Sequence, residues 1–301
     1  MSDDNGARLS VLIPTTRGWP AVRPTMDALR EQAQAVDAEV VVLDGSENPQ
    51  PPAEVLWPGV MWESHPGLSV FQLRPRGYRR VSGDIVAVTE DHCRPKPDWL
   101  SGVLRTHAEH PEAAAVGGAV ENGTPDHILD WATFFVTQAP FMAPLTEGAA
   151  ERITGGANLS YKRRALRRLS SHRGVGSLEF LHNHLLRQGG DTLVVDDSLV
   201  VEHDQSMGFR RTSASNFHNG RTIAGMRRQR MAAGDWVRVG AASVMPLYRS
   251  LRTIRTLLGK RQPPARLAAA APLVVWFQYC QGLGELVGYA AGPGDSPGKL
   301  L

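Results

Sequence analysis

Residues 83–100 read GDIVAVTEDHCRPKPDWL, and this stretch decides the fold. Ile85 to Val88 is a short unbroken apolar run, the pattern of a strand buried on both faces of a parallel sheet. Glu90-Asp91-His92 follows at once, and two prolines and Trp99 then end the strand. In open α/β sheets the ligand crevice lies beyond the carboxyl ends of the strands. An acid–acid–imidazole triplet at that place has the donors to hold a cation that carries a phosphorylated ligand. It reads equally well as a polar turn after a core strand.

Working outward, Leu9 to Ile13 is apolar and runs into Pro14-Thr15-Thr16, a first strand and its loop. Ala21 to Ala35 places Val22, Met26, Leu29 and Ala33 at helical spacing. Glu39 to Leu43 is a second strand closed by Asp44-Gly45-Ser46, a turn signal. Val60 to Trp62 suggests a short strand and Arg76 to Ser82 a short helix. Strand, helix, strand, helix, strand is the doubly wound α/β pattern, with a mostly parallel sheet flanked by helices.

The second half is less regular. Ala113 to Val120 reads as a strand, and residues 153–161 (ITGGANLSY) as a glycine-rich turn that becomes extended. A basic helix over 162–169 follows. Ser177 is placed to cap a helix carrying Leu178, Leu181 and Leu185, ended by Gly189-Gly190. Its histidines, His182 and His184, read as helix-surface residues. Thr192 to Val195 and Leu199 to Val201 are two further candidate strands.

Hydrophobic residues make up 42% of the chain and two cysteines are present, Cys93 and Cys280. That is enough to build a core and too few cysteines for a disulfide framework, which points to a reducing compartment. The start, MSDDNGARLS, lacks the basic and apolar segments of a secretory signal. Charge is uneven. Between Gln205 and Arg266 thirteen basic residues face the single acid Asp235, so residues 1–204 carry a net −8. An acidic body with a basic tail argues against a nucleic-acid partner and for a tail lying on an anionic membrane surface. Leu247, Leu251, Ile254 and Leu258 form one helical face and Arg249, Arg252 and Arg255 another, a basic amphipathic helix. Residues 267–291 are mostly apolar and long enough to span a bilayer, but Pro272, Gln278, Gln281 and Glu285 favour an interfacial or re-entrant helix. The expected division is a body at 1–206 and a helical, membrane-associating tail at 207–301, on the cytoplasmic face of the cell membrane.

Five segments in order carry a family resemblance: SVLIPTTRGWP (10–20), VVLDGSENP (41–49), RPRGYRRVSGDIVAVTEDHCRPKPDWL (74–100), ITGGANLSYKRRAL (153–166) and LEFLHNHLLRQGG (178–190) with VVEHDQS (200–206). Together they resemble the inverting family 2 glycosyltransferases of GT-A fold. The resemblance implies transfer of a sugar from a nucleotide-diphospho-sugar to a hydroxyl acceptor, which is a sugar, a lipid-linked group or a polysaccharide. It also implies a place in envelope polysaccharide or glycolipid synthesis. A divalent metal would neutralise the departing diphosphate, and one carboxylate would serve as base.

Carried over residue by residue, Thr15 and Asp44 fall in the nucleoside pocket, with Leu43 where the family has a first acid. Glu90 and His92 match the outer acids of the metal-binding Asp-x-Asp, with Asp91 between them, and the resemblance implies that Glu90 and Asp91 belong to the nucleotide-binding set. The imidazole there, joined by His203 after a later strand, favours Mn or another transition metal over Mg²⁺. Glu179 matches the catalytic base, beside Leu178 where a second acid is usual. Gly156 and Asn158 belong to the acceptor-side segment. Arg74 and Arg76 are placed to face phosphate, with Pro75 where the family has Asn. The departures at Leu43, Glu90, His92 and Leu178 keep an alternative open: a catalytically inactive, membrane-associated nucleotide-binding homologue.

Overall fold

The computed structural model describes residues 8–48, 50–170, 179–228, 231, 236–241 and 244–299, and the backbone alone at 170, 179, 180, 238 and 241. Ser177 and Leu178 lie outside the described residues. Two compact units result, one of residues 1–123 with 141–204 and the other of 124–140 with 205–301.

The first unit is built on a nine-stranded sheet. β1 (Leu9–Thr15) is followed by α1 (Arg23–Ala35), β2 (Glu39–Asp44), β3 (Val60–Ser64), α2 (Val70–Arg80) and β4 (Ile85–Val88). These four strands lie in the order β3-β2-β1-β4, all parallel. Every residue of β1 and β4 is buried, as a strand covered on both faces requires. Chain order reverses between β1 and β4, the switch point where such sheets open a crevice.

β5 (Cys93–Pro95), α3 (Trp99–Glu109), β6 (Ala113–Asn122), β7 (Gly148–Ala149), β8 (Leu159–Lys162), α5 (Arg163–Ser170), α6 (Glu179–Gln188) and β9 (Thr192–His203) complete the unit, with α4 (Ile128–Gln138) falling in the other. β8 runs antiparallel between β4 and β6, so the parallel half continues into a mixed half. The core includes Leu12, Leu43, Leu73, Val86, Val88, Leu159 and Tyr161, all at most 1% exposed.

Several elements differ from the sequence reading. The helix before β4 begins at Val70, not Arg76, because Ser69 and Gln72 form a capping box; Pro75 sits inside it. The two strands expected over 192–201 are one. Asp196 accepts the Ser198 amide at 2.9 Å, absorbing an irregularity opposite Gly118 and Ala119 without breaking the strand. His182 is not a surface residue. It is 1% exposed, with Nδ1 3.0 Å from the Tyr161 hydroxyl, while His184 is exposed.

The second unit is helical: α4, α7 (Phe209–Arg228), α8 (Val237–Ala241), α9 (Met245–Leu258) and α10 (Pro264–Ala291). Among the described residues no helix is long and apolar enough to cross a membrane. α10 instead buries Val274, Phe277, Glu285 and Tyr289. Arg249 pairs with the buried Glu285 at 2.8 Å, so it leaves the solvent-facing arginine row expected for α9. The face of α9 that packs holds Pro246, Ser250 and Leu257, and Leu247, Leu251 and Leu258 are exposed.

Candidate active site

The carboxyl ends of β1, β2 and β4 come together at the switch point, where Thr15 stands in register with Asp44. The chain leaves β4 through Thr89 and Glu90, then turns into β5. Because β5 pairs with β9 so that Cys93 faces His203, His92 and His203 become neighbours despite lying far apart in the chain. Their rings meet edge to face with centroids 4.5 Å apart.

Glu90, His92 and His203 present one donor atom each within 4.8 Å of one another. Glu90 Oε2 lies 3.6 Å from His92 Nε2 and 3.4 Å from His203 Nε2. Those spacings match the edges of a coordination shell with bonds of about 2.1 Å. His92 Nδ1 is 2.7 Å from Asp91 Oδ1, which fixes the ring and leaves Nε2 facing the cluster, as metal-bound imidazoles are usually held. Two imidazole nitrogens and a carboxylate form a set that fits a first-row transition ion.

Charge is arranged around the same point. Arg74, 6% exposed, donates from Nη2 to Glu90 Oε1 at 2.9 Å. Burial opposes the Glu90 charge, yet the hydrogen bond to His203 and the charges of His92 and Arg74 hold its carboxyl far below the ordinary range. Burial likewise opposes Asp91, but His92 and Arg17 keep it low. Against its burial, His92 is raised by Asp91 and Glu90, whereas burial outweighs Glu90 at His203 and lowers it. Gly156 backs this cluster: a Cβ there would collide with Arg74 Nη2 and lie 2.8 Å from Glu90 Oε1.

Other expected site residues take different roles. The Thr15 hydroxyl donates to Asp91 Oδ2 at 2.6 Å and accepts the Arg17 and Gly18 amides; it is fully buried, so it shapes the loop and does not line a pocket with its hydroxyl. Asp91 is engaged by Thr15, Arg17 and His92 and braces the site from behind, where a nucleotide contact was expected. Asn158, expected on the acceptor side, is tied into the core. It accepts from Trp99 Nε1 at 2.8 Å and donates to the carbonyls of Ala119 and Leu199 at 2.7 and 2.8 Å. Asp44 is 1% exposed; Oδ1 accepts the Ser46 amide, and Oδ2 is buried without a partner among the described residues.

Arg76 hydrogen-bonds the Gln72 carbonyl on its own helix, so only Arg74 of that pair joins the cluster. Glu179 is the first residue of α6, and its side chain lies outside the described atoms. Arg17 is a site residue the sequence did not single out. It donates to both carboxylate oxygens of Asp91, at 3.2 and 3.1 Å, and only its place in the loop after β1 could have marked it.

The sheet topology, with its crevice at the switch point and the donor cluster beside it, is that of a GT-A glycosyltransferase scaffold, and the comparisons agree. Glycosyl transferase family 2 matches residues 10–170, more than half of the chain, and the chain belongs to that family. Glucosyl-dolichyl phosphate glucuronosyltransferase of Haloferax volcanii is 33% identical over 96 residues. That stretch is 30% of this chain and 30% of the relative, so the chain matches under a third of its curated relative's length. Mannosyltransferase PcManGT from Pyrobaculum calidifontis, solved with GDP-Man and Mn²⁺, superposes with a TM-score of 0.56 at 17% identity, over 95% of this chain and 87% of that one. GalNAc-T7, solved with UDP, GalNAc and Mn²⁺, gives 0.51 at 16% identity, over 68% and 44%. Both likenesses are of fold.

Proposed function

We propose that this chain is a metal-assisted inverting glycosyltransferase, moving a sugar from a nucleotide-diphospho-sugar to a hydroxyl acceptor in envelope polysaccharide or glycolipid synthesis. The observation that carries the reading is the convergence of Glu90 Oε2, His92 Nε2 and His203 Nε2 at the crevice end of β4. Glu90, His92 and His203 would hold the divalent ion. Two imidazoles support Mn or a similar ion over Mg²⁺, and both solved relatives named above hold Mn²⁺. When bound, the ion supplies Lewis-acid neutralisation of the diphosphate.

The chain's own residues do the rest. Arg74 adds a fixed positive charge beside the leaving diphosphate. Asp44, whose Oδ2 is buried and without a partner among the described residues, would accept a hydrogen bond from the nucleoside. Glu179 takes the acceptor proton as the acceptor oxygen bonds to the anomeric carbon. The bond from that carbon to the diphosphate oxygen breaks on the opposite face, and its electron pair leaves with the nucleoside diphosphate. Relatedness to an enzyme named for a dolichyl phosphate substrate supports a lipid-linked acceptor. The exposed Leu247, Leu251 and Leu258 beside the exposed Arg252 and Arg255 support peripheral contact with the anionic cytoplasmic face of a membrane.

The Glu179→Gln variant tests the catalytic role. Sugar transfer should fall by about 10²–10⁴-fold while donor and Mn²⁺ affinities stay within twofold of wild type. Undiminished transfer would remove Glu179 from the reaction.

A further inference from the structure

We propose that the cavity at the amino-terminal end of β4 is a second ligand site, built for a phosphate carried on an apolar group. The cavity is an open cleft of about 840 Å³, within the usual range for small-molecule sites. It does not belong to the metal cluster. Ile85 opens β4 and pairs with Lys162 at the end of β8, so the length of β4, about 10 Å at about 3.3 Å per residue, separates it from the end of the strand that leads to Glu90.

Three observations define its ligand. The first is charge: five cationic side chains border the cavity and one acid, Asp84, does. Arg105 is engaged by Asp196 at 3.3 Å. Lys162 donates instead to the carbonyls of His110 and Pro111, Arg163 to those of Gly83 and Val81, and Arg164 to that of Pro111. Carbonyl dipoles orient these groups, and Glu112 beside Lys162 and Asp84 and Glu39 beside Arg163 offset only part of their charge. Burial and then the Arg164 charge push Lys162 below its ordinary pKa, and burial and then Arg167 do the same to Arg163. An anion in the cavity would relieve both.

The second observation is His107 in the cavity wall. It is 3% exposed, Nε2 lies 2.9 Å from the Ser160 hydroxyl, and Nδ1 is buried without a partner among the described residues. Burial, with Lys162 nearby, lowers its pKa to about 3, so the ring is neutral. In the tautomer whose Nε2 accepts from Ser160, the Nδ1 proton is buried behind the wall, so the ring lines the cavity as a neutral surface among the cations. The third is the lining between the charges, where Ile85, Leu104 and Ala108 and the stems of the basic side chains offer apolar surface. Inorganic phosphate alone would leave that surface unused.

The test is calorimetric titration of the full chain in EDTA, which empties the metal cluster. The probe is dihexanoyl phosphatidic acid below its micellar concentration, with inorganic phosphate and dihexanoyl phosphatidylcholine as controls. The phosphatidic acid should bind at least tenfold more tightly than either control. R164E/R167E, two exposed side chains, should weaken it at least tenfold. So should Ala108→Trp, which fills the cavity without changing charge, and both variants should keep the wild-type melting temperature and Mn²⁺ affinity. Repeating the comparison with phosphatidylcholine vesicles containing phosphatidic acid separates sources: a charge-variant loss there assigns a membrane headgroup, a loss confined to the monomer a soluble ligand. Undetectable binding, equal binding of phosphatidylcholine, or binding unchanged in both variants would overturn the site.

Discussion

Gly156 carries no functional group, yet the donor cluster depends on it. An added methyl there meets the end of the Arg74 side chain and Glu90 Oε1. An arginine end can swing aside at little cost, so the fold should tolerate Gly156→Ala while the carboxylate shifts. Mn²⁺ affinity should drop about 10–100-fold with a melting temperature within a degree or two of wild type; calorimetry and thermal unfolding read the two. Unchanged affinity would mean the Arg74–Glu90 contact does not position the cluster. The adjacency of Glu90 and His92 was legible in the sequence because both lie on one turn. The third donor was not legible from spacing, since the β5–β9 register alone brings His203 to that turn; family resemblance pointed to it. Thr15 and Asn158 show what residue type alone does not reveal. Their residue types suited a substrate contact, but long-range partners, Asp91 for one and Trp99, Ala119 and Leu199 for the other, already occupy their polar atoms.

Among the elements, the crossing of α7 and α10 rests on absent side chains. A Cβ on Gly220 would strike the Gln281 carbonyl, and one on Gly284 or Gly288 the carbonyls of Phe217 or Arg221. These neighbours are backbone and cannot swing away. Gly284→Ala should destabilise the chain by about 1–3 kcal/mol, whereas Gly240→Ala, whose methyl meets nothing within 4 Å, should not. Denaturant unfolding of the two variants checks this, and equal midpoints would show that the helices do not pack at that depth. The strands of the parallel half were legible as apolar runs, because burial on both faces leaves no alternation to misread. The two stripes of α9 were legible from periodicity, and the leucines at 247, 251 and 258 are exposed. The place of Arg249 was not legible, because Glu285 of α10, far along the chain, draws it inward.

For the molecule as a whole, that exposed stripe and the basic stretch over 205–266 belong together. The full chain should sediment with vesicles containing anionic phosphatidylglycerol and not with pure phosphatidylcholine. Changing Leu247, Leu251 and Leu258 to Ser together should cut the bound fraction at least tenfold, and equal binding by that variant would remove the membrane role from α9. The central claim is that the Glu90–His92–His203 cluster holds a transition ion on a nucleotide-diphospho-sugar. Release of nucleoside diphosphate across a panel of nucleotide-sugars and metals tests it most directly, in wild type and in His203→Ala. The account predicts release from at least one donor that is stronger with Mn²⁺ than with Mg²⁺, abolished by EDTA and reduced at least 100-fold in His203→Ala. Release that persists in EDTA or survives the substitution would contradict it, and so would no release from any donor with any metal, the behaviour of an inactive nucleotide-binding homologue.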